Sequence, residues 1–135
     1  MSSLIENRRI TRSMSYQMAN QQAPQFEYWI IKDDYSEPTH ILRDTKLSLK
    51  ELQAVVGGNI EIQSLSNMQC YLQRRIGINM GPVPIPDKFK NMHWVVMNEN
   101  PSQKKLDFAN ETMYTNFTCE VVCNAIVAAK NCFDM

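Results

Sequence analysis

The sequence lacks net charge: fourteen Lys and Arg residues cancel fourteen Asp and Glu residues. A neutral chain exerts no global pull on nucleic acid or anionic lipid, so any such affinity has to come from a local patch. A long apolar run is missing as well. The most apolar stretch, Val121 to Ala129, is interrupted by Cys123 and Asn124 and is about half the length that crosses a bilayer, which predicts no membrane insertion. No continuous apolar core of the secretory type follows the early arginines, so the chain is expected to stay in a reducing compartment. Four cysteines in 135 residues are too sparse to staple a miniprotein, and Cys70, Cys119, Cys123 and Cys132 read as free thiols, buried by default. No internal repeat is visible, which removes solenoids and propellers.

What is present suits one core. A chain of this length buries roughly two-thirds of its unfolded surface, and its apolar fraction of 44% and charged fraction of 21% are those of ordinary globular proteins. Residues 1–25 set Arg8, Arg9 and Arg12 against Glu6 among Ser, Asn and Gln. They hold too little apolar area to offset their own ordering entropy, and read as a flexible basic arm. Residues 26–135 read as a single α/β (α+β) domain on a small mixed or antiparallel sheet.

Phe26 to Lys32, FEYWIIK, is aromatic and β-branched, as strands are. The turn-rich Asp33 to Pro38 and a short strand at Thr39 to Leu42 complete a hairpin. Ser48 and Glu51 have the spacing of a capping box, with Leu47 and Leu52 placed as a hydrophobic staple. Leu49, Leu52, Val55 and Val56 then form one helical face, so a helix is predicted over 49–56. Gly57 and Gly58 stop it, because glycine takes the left-handed conformation freely. Asn59 to Leu65 alternates like a half-buried strand. Residues 66–93 read as an insertion: Cys70 to Ile76 fits a short strand or helix, and the Gly/Pro-rich GINMGPVPIPDKF cannot continue regular structure. MHWVVM at 92–97 is a further strand. Asn110 reads as a turn or cap, and Cys119 to Ala129 as a strand, with or without a second helix near the C-terminus.

The segments WIIK at 29–32, LKELQAVVGGNIEIQSL at 49–65, VVMNENP at 95–101 and VVCNAIVAA at 121–129 resemble an uncharacterised domain family of bacteriophages, bacteria and large DNA viruses of algae. The resemblance covers about residues 26–130, with 66–93 resembling an insertion. It implies an α/β domain and a viral source, hence a host cytoplasm or a virion as location, and it assigns no catalytic residue. Members usually carry glycine where this chain has Cys123.

No motif announces an active site or a cofactor. Cys119, Cys123 and Cys132 lack the spacing of a zinc knuckle. His93 has no nucleophile placed beside it by any motif, and Asp33, Asp34 and Glu37 lack the ligand ladder of a calcium loop. The Gly57-Gly58 pair follows a helix, whereas phosphate cradles precede one. What remains is local positive charge: Arg8, Arg9 and Arg12 in the arm, and Arg74, Arg75, Lys88 and Lys90 against Asp87 in the insertion. Tyr71 and Phe89 lie among the latter, so a nucleic-acid strand would fit, but a basic rim for a protein partner fits better. The expected function is that of a non-enzymatic structural or interaction component, virus-encoded, docking on other protein chains through the arm and the insertion. The alternative is a regulatory module binding a nucleotide or other small ligand, for which a pocket is expected beside Gly57-Gly58.

Overall fold

Alternation of apolar side chains sets the strands, and the strands set everything else. In the computed structural model, which describes residues 25–78, 81, 83–101 and 109–133, β1 (Phe26–Ile31) pairs antiparallel with β2 (Thr39–Arg43), with Trp29 opposite His40. The Asp34 carboxylate accepts the Ser36 N–H within the turn between them. The arm arginines Arg8, Arg9 and Arg12 lie outside the described residues.

Helix α1 (Leu49–Val56) starts as its sequence requires. The Ser48 hydroxyl accepts the Glu51 N–H and the Glu51 carboxylate accepts the Ser48 N–H, so two first-turn donors are satisfied reciprocally. Leu47, Leu52 and Val56 are buried, but Leu49 is 58% exposed and does not belong to the inward face assigned to it above; the helix turns that first residue away from the sheet. Gly57 ends the helix at φ +83°, with its N–H on the Gln53 carbonyl. Gly58 serves a different purpose: a Cβ there would come within 3.0 Å of Asn98 Nδ2, and that amide caps the helix through the Val56 carbonyl at 3.1 Å.

Strand β3 (Ile60–Ser64) runs directly into α2 (Leu65–Arg75), whose N-cap is Ser64. The segment read as an insertion therefore opens with an eleven-residue helix packed on the core. A short 3₁₀ turn (Asp87–Phe89) leads into β4 (Met92–Asn98), which carries an irregularity between Met92 and Trp94. Asn110 caps α3 (Glu111–Phe117), and β5 (Ala125–Ala129) is the last strand.

Among the described residues, five strands form one antiparallel sheet in the order β2-β1-β5-β4-β3, and the fold is α+β. Ile126 and Ala128 of β5 point to the layer of α1, Leu47 and Phe133. Ala125 and Val127 point to the layer of α2, α3 and the 3₁₀ turn, where Phe89 and Phe117 are fully buried. A central strand covered on both faces has no polar side to keep, which is why AIVAA is continuously apolar. Phe26, Tyr28 and Ile30 of β1 face the α1 layer, and Trp29 and Ile31 the other.

Candidate functional site

Helix α2 buries an unusual stripe: Leu65, Gln69, Leu72 and Gln73. The two glutamines, each 4% exposed, are there because the chain that follows is poor in donors. Proline has no N–H and glycine no side chain, so the loop after α2 presents carbonyls that something must satisfy. Gln69 Nε2 donates to the Val83 and Phe117 carbonyls at 3.2 and 2.8 Å, and its Oε1 accepts the Val83 N–H at 3.3 Å. Gln73 Nε2 donates to the Gly81 carbonyl at 2.6 Å. The loop is thus laced to α2 and α3 within the chain itself. Sequence reasoning missed both glutamines because a polar residue on an apolar stripe reads as a break in the pattern.

Pinning α2 in this way leaves a cleft of about 580 Å³ between its outer face, β3 and the neighbouring part of β4. Glu61 and Gln63 enter it from β3, Met97 from β4, and Met68, Tyr71 and Arg74 from α2. Alternation along IEIQS decides which strand residues arrive: Ile60 and Ile62 pack toward α1, so Glu61 and Gln63 point the other way. Gln63 Nε2 donates to Glu61 Oε2 at 3.0 Å. Glu120 reaches the rim, held by Arg75 at 2.8 Å. Apolar and polar groups therefore alternate across one surface; Tyr71 of its lining stands exposed, as do Ile76 and Ile78 just after α2. The cleft does not lie at the Gly57-Gly58 turn, where the ligand reading placed it, but on the opposite face of the sheet.

The basic residues of the insertion are divided. Arg74 lines the cleft and Arg75 is paired with Glu120. Lys88 lies over the Trp29 and Phe89 rings, at 5.6 and 5.1 Å, on the β1–β2 side of the same layer, and Lys90 is exposed just beyond the 3₁₀ turn. Lys88 thus lies over β1, which β5 separates from the β3–β4 flank that Arg74 lines. Beside Lys88, His40 stacks on Trp29 with ring centroids 4.3 Å apart and shares a 2.8 Å contact with Glu27. His93 falls at the β4 irregularity against Trp94.

Elsewhere the chemistry is structural. Arg43 makes a bidentate pair with Glu51 at 2.6 and 2.7 Å and also donates to the Thr45 and Lys46 carbonyls, so the capping box is tied to β2. The guanidinium first, and then the Ser48 N–H, hold the Glu51 carboxyl down at about 2. Cys119 and Cys132 sit in opposite core layers, and the sheet between them rules out a shared ion. Burial pushes the Cys119 thiol up to about 12 and raises that of Cys132. Cys123 takes φ +73°, a left-handed conformation. Asn110, 1% exposed, donates to the Ile31 and Cys123 carbonyls and accepts the Met113 N–H, joining β1, α3 and that turn.

No protein-family model, curated protein or solved structure matches this chain.

Proposed function

We propose that this protein is a non-enzymatic interaction component that engages partner protein chains through the flank built by β3 and α2. The observation that carries the reading is the juxtaposition there of a sheet edge, a mixed cleft and exposed apolar residues. Tyr71 is 57% and Ile76 56% exposed, and both belong to the segment bearing Arg74 and Arg75. Interfaces favour aromatic and arginine anchors ringed by polar groups. Interleaved carboxylates from Glu61 and Glu120 make the same surface a poor track for phosphates, which favours protein over nucleic acid. Free cysteines support a reducing location such as a host cytoplasm or a virion, and the family resemblance supplies the viral part of the reading.

The test is affinity capture with the full chain. Tyr71→Ala combined with Arg74→Ala should remove captured protein that wild type retains, whereas Tyr114→Ala, at an exposed tyrosine on α3, should retain it. Equal capture by all three would sink the reading.

The cleft volume also suits a small ligand, since ligand sites run to roughly 300–1,000 Å³. Glu120 is already paired with Arg75, which leaves the Glu61 carboxylate and the Arg74 guanidinium in one cleft, a balance that would favour a zwitterionic amine over a nucleotide. A thermal shift with amines and none with nucleoside phosphates is the expected signature of that second reading.

A further inference from the structure

We infer that the outer edge of β3 is the pairing edge of a symmetric dimer, in which a second copy of this chain adds its own β3 antiparallel, centred on Ile62. The inference rests on the interaction reading only in taking this flank as a contact surface. Among the described residues β3 pairs with β4 alone, so one row of its backbone donors and acceptors faces outward. Natural edge strands are often blunted by proline, a bulge or an array of charged side chains. IEIQS contains no proline, carries a single charge at Glu61, and runs against β4 without a shift of register.

The side chains choose the occupant. A two-fold axis perpendicular to the sheet keeps each face continuous, so only registers that pair residues of the same face are allowed. Centred on Ile62, the pairing uses all five residues of β3: Ile62 meets Ile62, Ile60 meets Ser64, and Glu61 meets the amide of Gln63, twice by symmetry. Glu61 and Gln63 bond within one strand at 3.0 Å, a contact that the pairing would exchange for the same contact across the axis. Centring on Glu61 would set two carboxylates face to face, which is unfavourable. The half-buried Ile60 and Ile62, which pack toward the α1 layer, would gain cover from the second copy's isoleucines. The other edge strand offers no such match. Centred on Ile41, β2 would set His40, already engaged by Glu27 and Trp29, against Leu42.

Sedimentation equilibrium on the full chain tests this through position 63, where the register predicts opposite responses. Gln63→Glu places a carboxylate against Glu61 twice and should weaken the dimer about tenfold. Gln63→Lys places an ammonium there twice and should tighten it about tenfold. Hydrogen exchange on wild type should show β3 amides whose protection rises with protein concentration, a readout that needs no variant. A monomer at every concentration, or a dimer indifferent to both substitutions, overturns the inference. A monomer whose partner capture still depends on Tyr71 and Arg74 would sink the pairing and leave the interaction reading standing. A dimer with no such dependence would support the pairing and sink that reading.

Discussion

At Gln69 and Asn110, single amide side chains satisfy backbone groups from two or three separate segments. Removing such a group strands its partners in the core, and the cost is that of buried polar atoms left unpaired, about 1–3 kcal/mol for each set. Gln69→Leu, close in volume and more apolar, should therefore destabilise the protein by about 2–3 kcal/mol in urea unfolding. A gain in stability would show that water replaces the lost bonds. The glycine pair separates two causes that look identical in sequence. Gly57→Ala meets no atom within 4 Å but forces a Cβ into φ +83°, costing about 1–2 kcal/mol. Gly58→Ala instead pushes on the Asn98 amide and should cost about 1 kcal/mol through the lost helix cap. Thiol reactivity divides along the same lines of burial. An alkylating reagent at mildly alkaline pH should modify exposed Cys70 in the folded protein and reach Cys119, with its thiol pushed to about 12, only on unfolding.

Elements hold together here through their ends. The α1 N-terminus is fixed by Ser48 and Glu51 and then tied to β2 by Arg43, so one carboxylate serves a cap and an ion pair at once. Its folded-state value of about 2 lies below the ordinary 4.5. The stability it contributes is accordingly complete above pH 4.5 and is lost as pH falls toward 2. Glu51→Gln should flatten the stability profile across that interval, measured by urea titrations at successive pH values; an unchanged slope would assign the acid sensitivity elsewhere. The proline-rich loop after α2 depends on the same logic. Its strands of contact are Gln69 and Gln73, and hydrogen exchange in Gln69→Leu should show Val83 losing protection before α2 itself does.

On the scale of the whole molecule, the described residues build two core layers on the two faces of a five-stranded sheet. Deleting residues 1–24, which hold too little apolar area to build a core of their own, should move the melting temperature by no more than about 2 °C, read by circular dichroism, and should weaken partner capture, as the docking role expected of the basic arm from its sequence requires. A large drop in melting temperature would make the arm part of the fold. Much of that fold was legible in the chain. The capping box at Ser48 and Glu51, the stop at Gly57, the cap at Asn110 and the alternation of IEIQS are local matters, because each depends on groups a few residues apart whose sterics and hydrogen bonds no distant partner can change. What tertiary structure alone decided is which faces found neighbours: that Leu49 turns outward, that Gln69 and Gln73 turn inward, that Arg74 and Lys88 end on opposite flanks, and that β3 lies at a sheet edge. Strand order joins residues tens of positions apart, and a pattern of period two or three and a half contains nothing that fixes it.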